Sequence, residues 1–439
     1  MNPENKKSNK LLFIICASII ALFAIVLIIV LLLPKGDSDS DIPQLGNTTR
    51  VQNIIMNTIS DETIFVEGIE TYTATVERGV VATEKSEYLD GNGEKAIIPA
   101  GFSVVSDSSN IRDGLVISDV EGDDLSNSKG GNQFVWIPVE NACLDVTSCS
   151  SDDDINNKLS EAITKGYKPM LVKLTSKKYA GVLYTIKSGN NGTRVDIELS
   201  EFTTSLQKNS EPKSVSSDSK EVIKDYKSSL FQTEFNKMAE AVINEKGFWI
   251  ARFETSMGND GLAQSKKGFY PTTGKTWYDL YALTATLSND NISSHMIWGC
   301  QWDQVMIFMK DVENRYATVG AHYYIVNATN KGNYLTNKVK NNNYVKDSKK
   351  EEEQEYIKKE NEQKQLTTGY SEDFAEKNIF DLAGNVWEWT MESVFGTQRI
   401  MRGGYCGDQV TNSAGARNKV PADYTGEQLV DFGTRMVIY

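Results

Sequence analysis

The sequence predicts a mixed helix-and-strand domain held outside the cell by one membrane-spanning helix, and three observations predict it. Leu11 to Leu33 is an unbroken uncharged apolar run ended by Pro34. Short strand-like runs separated by turn residues recur from Thr63 onward, and three stretches between Phe231 and Met309 repeat apolar residues at helical spacing. Residues 1–10 read as a cytoplasmic tail, 11–33 as a transmembrane helix, and 34–84 as a tether with a strand-rich juxtamembrane segment. Residues 85–439 form the main domain, with a charged surface insertion at 338–366.

The apolar run exceeds the roughly 20 residues a helix needs to cross a bilayer. It is too long for a signal-peptide core, and no small-residue cleavage site follows it. Lys6, Lys7 and Lys10 precede it, and Asp37, Asp39 and Asp41 follow it. That asymmetry places the N-terminus in the cytoplasm and the rest outside, a single-pass membrane protein with an extracellular C-terminal domain. A cleaved signal releasing the same domain is the alternative. Gly36 to about Arg50, rich in Asp, Ser and Asn, reads as a flexible tether.

The chain of 439 residues has room for a sizeable core. Its net charge of -13 argues against a nucleic-acid partner. With only His295 and His322, a histidine-rich metal centre is not expected. Cys16, Cys143, Cys149, Cys300 and Cys406 form no C-x-x-C pair, and the sequence leaves a Cys143–Cys149 bridge open.

Along the domain, Asp90-Gly91-Asn92-Gly93 predicts a hairpin turn between Glu87–Leu89 and Ala96–Ile98. Gln133 to Val139 reads as a buried strand, and Lys178 to Leu199 as a second hairpin. Phe231, Phe235, Met238 and Val242 mark one helix face, stopped by Lys246-Gly247, and Phe248 to Glu254 follows as a strand. Thr276 with Asp279 predicts a capped helix burying Trp277, Leu280, Thr284 and Leu287. A third helix from Gly299 buries Trp302, Val305, Met306 and Met309. Glu355/Lys359 and Glu360/Lys364 allow a solvated helix within the charged insertion.

The most informative stretch is the last. It reads D-L-A-G-N-V-W-E-W from Asp381, R-G-G-Y from Arg402, and D-F-G-T-R-M-V-I-Y at the end. Asp381 and Glu388 supply carboxylates, and the Gly384-Asn385 turn can aim carbonyls inward, so the loop suits a hard, oxygen-seeking cation. Alternatively, Asp381 caps a turn and Glu388 pairs with a basic residue such as Arg402.

These motifs, in this order, resemble the formylglycine-generating enzyme (sulfatase-modifying factor) family, closely from Ile379 to Tyr439 and loosely from Gln133. The resemblance implies an α+β fold related to C-type lectins: short strands, about three helices and much irregular loop. It also implies a structural calcium held by Asp381 and Glu388 and by the carbonyls of Gly384 and Val386. A helix carrying Trp302-Asp303 is expected beneath the site.

Active relatives oxidise a substrate cysteine to formylglycine with copper(I) held by two cysteines after R-G-G-S. Here Tyr405 replaces the serine, Asp408 stands at the first cysteine position, and Ser413 stands near the second. Two soft thiolates are what select copper(I), so a copper centre and catalytic residues are not expected. The expectation is a non-catalytic binding or surface module whose partner is a surface protein, a peptide or a glycan. A copper-dependent cysteine oxidase and a lectin-like carbohydrate binder are the alternatives.

Overall fold

The computed structural model describes residues 65–183, 186–188, 195–197, 205–207, 228–310, 332–342, 355–394, 398–408, 414–425 and 432–439. All fall in the second of two compact units, Glu62–Tyr439. The expected membrane span at 11–33 lies outside the described residues; among those described, no helix is long and apolar enough to cross a membrane.

The main domain is built on a six-stranded antiparallel sheet. Its order runs Ser294–Met296, Met436–Ile438, Gly247–Ala251, Gln133–Pro138, Val116–Ser118, Ser103–Val104. The two middle strands pair from Gly247 opposite Pro138 to Ala251 opposite Phe134. Nearly every residue in both is buried, which is why they read as continuous apolar runs without alternation.

Four α-helices occur among the described residues: α1 Asp152–Thr164, α2 Ser228–Glu245, α3 Trp277–Ala285 and α4 Gly299–Lys310. Helix α2 packs on the strand Gly247–Ala251 and α4 on Gln133–Pro138, covering the sheet. The three helices expected from periodicity are α2, α3 and α4. The capping box of α3 is formed, Thr276 accepting from the Asp279 amide while Asp279 accepts from the Thr276 amide. Trp277, Leu280 and Thr284 are buried on it as expected; Leu287 lies beyond its end and is only partly buried.

Helix α1 was not expected. It crosses over between the parallel strands Cys143–Asp145 and Leu171–Thr175, with Ser151 as its N-cap. These two, with Lys178–Leu183 and Ser205–Gln207, make a four-stranded sheet. The second expected hairpin is therefore rearranged. Lys178–Leu183 pairs with Leu171–Thr175, and the hairpin proper joins Ile186–Ser188 to Val195–Ile197.

The stop after α2 also works differently from expectation. Lys246 is the left-handed residue, with φ 58, and Gly247 is already strand. Gly247 is required for another reason: a Cβ there would sit 2.2 Å from the Trp136 ring. Glu355 to Lys359 is not helical. Tyr356–Lys358 is a strand paired with Val339–Lys340, and the Lys358 ammonium is buried against the carbonyls of Tyr334 and Asn337, 2.6 Å from each. The four described cysteines are free thiols, so Cys143 and Cys149 are not bridged.

Candidate functional site

Four strands of the C-terminal region form a second sheet. Arg417–Pro421, Gln398–Arg402, Trp387–Val394 and Phe432–Thr434 lie in that order, the last pair parallel. Before it, the chain from Lys377 to Asn385 turns repeatedly. Lys377, Asn378, Asp381, Gly384 and Asn385 all have positive φ, a conformation that glycine adopts freely, that Asn and Asp tolerate, and that is costly for Lys377. Gly384 is obligatory, since a Cβ would lie 2.7 Å from the Asn333 carbonyl oxygen.

Asn385 holds this loop in place. Its side-chain amide donates to Glu254 Oε2 at 2.6 Å and to the Leu366 carbonyl, and its oxygen accepts from Asn333 and from the Leu366 amide. Its backbone carbonyl accepts from Cys406, and Gly384 donates to the Gly403 carbonyl at 2.8 Å. The D-L-A-G-N turn and the R-G-G turn are thus tied together by backbone bonds.

Of the four residues expected around a cation, Asp381 and Glu388 are both buried, beside the buried Val386. The Asp381 carboxylate accepts from the Gly369 amide at 2.8 Å and the Thr368 hydroxyl at 3.1 Å. Glu388 is gripped by Arg435, whose Nη2 lies 2.6 Å from Oε1 and whose Nε lies 2.9 Å from Oε2. Arg435 also donates to the carbonyls of Ala251 and Phe380, so one guanidinium joins both sheets and the loop. Arg402, the partner considered from sequence for Glu388, instead pairs with Asp303 on α4. This is the tryptophan-acid helix expected beneath the site, and Trp302 donates to the Ala414 carbonyl at 3.0 Å.

A third carboxylate joins the cluster. Glu254 is fully buried, and its Oε1 has no hydrogen-bond partner. Burial, reinforced by Asp381 and Glu388, pushes its carboxyl well above the usual range. Burial also raises Asp381 and Glu388, opposed in Asp381 by the Gly369 amide and Arg435, and in Glu388 by Arg435. For Arg435, burial disfavours the charge, but Glu388 outweighs it and holds the guanidinium protonated. With Glu254 held toward its neutral form, Asp381 and Glu388 are set against one guanidinium, and the donors are all hard oxygen. That donor chemistry and charge fit a hard cation. Among the described residues, no three His, Cys, Asp or Glu side chains already stand together as a metal cluster.

The copper-type position differs. The Asp408 carboxylate accepts from the Tyr405 amide at 3.2 Å, closing the turn after Gly404. Ser413 lies outside the described residues. Cys406 and Cys300 are buried, and burial pushes the Cys300 thiol up, away from the thiolate a soft metal needs.

Sequence reasoning missed Glu254 and the roles of Arg435 and Asn385. Glu254 meets Asn385, and Arg435 meets Glu388, across separations of 131 and 47 residues that leave no local period in the sequence.

A lattice of buried ion pairs and left-handed turns beside an antiparallel sheet defines a loop-rich α+β domain with a rigid, oxygen-lined centre. Residues 189–438 match the Sulfatase-modifying factor enzyme 1-like domain, and the chain belongs to this FGE-sulfatase family. No curated protein gives a match to the chain.

Proposed function

We propose that this protein is a membrane-anchored, extracytoplasmic member of the family that acts as a binding or display module without copper-dependent oxidase chemistry. One observation carries the reading. Where active relatives place the first of two copper-holding cysteines, this chain has Asp408, whose carboxylate is spent on closing a turn. A carboxylate is a hard ligand and does not substitute for a thiolate toward copper(I). The test is to incubate the purified chain with a Cys-x-Pro-x-Arg peptide, copper(I) and oxygen, and to weigh the peptide. An unchanged mass is expected; conversion to the aldehyde, lost in Cys406→Ser, overturns the reading.

The Asp381–Glu388 loop serves, in this proposal, as a structural calcium site, with Asp381 and Glu388 and the carbonyls of Gly384 and Val386 as its ligands. Bound calcium supplies positive charge to a buried cluster that has too little of it. Chelation is expected to lower the melting temperature, and Glu388→Ala to abolish that response. A melting curve indifferent to chelator removes the calcium.

A further inference from the structure

Eight large apolar side chains are exposed among the described residues, and four of them fall between residues 257 and 270. Met257, Leu262, Phe269 and Tyr270 are between 44% and 60% exposed. Single exposed hydrophobics need no explanation, but a concentration of this kind marks a surface that meets something.

The backbone presenting them is fixed. Ser256–Met257 pairs with Ala263–Gln264, and the Gly258 amide donates to the Leu262 carbonyl at 2.8 Å. Phe269 and Gly268 bond to Thr368 in both directions, and Thr272 donates to the Thr255 carbonyl. The apolar side chains are thus displayed on a rigid frame, so little ordering entropy opposes their burial.

The charges around them are positive within a chain of net charge -13. Lys266, Lys267 and Lys275 stand in this stretch against Asp260 alone. Asp260 accepts from the Leu262 amide and keeps its charge, and Lys267 pairs with Glu372 at 2.7 Å, so the three lysines exceed these two acids by one charge, with Lys275 exposed.

We infer that the surface at 257–275 docks on an anionic lipid bilayer, the apolar tips entering the headgroup boundary and the lysines meeting lipid phosphates. Phenylalanine and tyrosine partition well to that boundary, and lysines beside them add attraction to anionic lipid. The inference rests on the membrane-anchored reading, which keeps a bilayer within reach. About 28 residues separate Leu33 from Glu62, a contour of at most about 100 Å. At the effective concentration such a tether sets, a weak contact suffices.

The test uses the full chain at one copy per nanodisc, with hydrogen exchange followed in peptides spanning 257–270. Discs containing phosphatidylglycerol are compared with discs of phosphatidylcholine and with detergent micelles. Exchange is expected to slow by at least about threefold in the anionic discs relative to micelles. The Phe269→Ser/Tyr270→Ser variant is expected to lose that slowing while Gln133–Pro138 keeps its protection, which shows an intact fold. Equal rates in discs and micelles, with the chain seated in the disc, overturn the docking and leave the anchor standing. Slowing in micelles that grows with protein concentration identifies a second copy as the occupant and also overturns it. A chain that does not enter the disc removes the anchor. Docking is then read by flotation with phosphatidylglycerol vesicles, where flotation lost in the double variant supports it and an unfloated chain overturns it.

Discussion

The acid-rich turn at Ser118–Gln133 and the cluster around Glu388 both bury carboxylates, yet they satisfy them by opposite means. Asp123 is buried and surrounded by neutral donors: the hydroxyl of Ser118, the side-chain amides of Asn127 and Gln133, and the amides of Lys129 and Gly131. Burial alone would raise its carboxyl, but these donors prevail and hold it below the usual range. Around Glu388 three carboxyl groups lie near a single guanidinium that also serves other chain segments, and Glu254 is held high with one oxygen lacking a donor. The contrast teaches that burying an acid tells little about function; what separates a structural acid from a candidate site is whether neighbours already meet its needs.

The largest effect that tests this contrast should come from Arg435→Met. Removing the guanidinium leaves Glu388 buried and unpaired, which costs about 3–5 kcal/mol. Chemical denaturation of the variant measures it, and a loss below about 1 kcal/mol would make the ion pair peripheral. Recovery of part of the loss by added calcium would place a cation on the freed carboxylate. Asp123→Ala comes next. Several charge-assisted hydrogen bonds vanish together, and a destabilisation of about 2–3 kcal/mol is expected from the same measurement.

Acid should then move the two regions in opposite directions. Asp124 titrates at about 2, pulled down by the hydroxyls of Ser126 and Ser128. A depressed folded-state value means its contribution is present above the unfolded value near 4 and is lost as pH falls toward about 2. The melting temperature of Asp124→Asn should therefore fall less than that of the native chain over that window. Glu254 has the reverse sign. Its raised value makes folding more favourable below the unfolded pKa of about 4.3 and less so as pH rises above it. Glu254→Gln, which mimics the protonated form, should melt about 2 °C higher than the native chain at pH 7 and show no advantage at pH 4. A lower melting point at pH 7 would mean that the charged form is the one the fold uses. The smallest effect belongs to the exposed pair Lys95–Glu87, where Lys95→Ala should cost under about 0.5 kcal/mol.

What sequence made legible was whatever repeats locally. The 3.6-residue spacing of Phe231, Phe235, Met238 and Val242, the Thr276/Asp279 cap and the Asp90–Gly93 turn each carry their signal within a few residues, and each stands where it was expected. Helix α1 is not legible because its sequence, D-D-D-I-N-N-K-L-S-E-A-I-T, shows few apolar residues; among its described side chains, Ile155, Leu159 and Ala162 are the buried ones. The insertion at 338–366 reads as a charged surface segment because nothing near Lys358 in sequence announces the carbonyls of Tyr334 and Asn337 that bury it. The centre was half legible: Asp381 and Glu388 stand out by motif, but Glu254 meets them only through the fold.

The strand Met436–Ile438 lies in the interior of the central sheet, between Ser294–Met296 and Gly247–Ala251. A ribosome must therefore deliver the chain through Ile438 before the sheet can close. Until then the strand Gly247–Ala251 waits with one edge open, and nascent chains carry that unpaired edge while the residues from 252 to 438 are made.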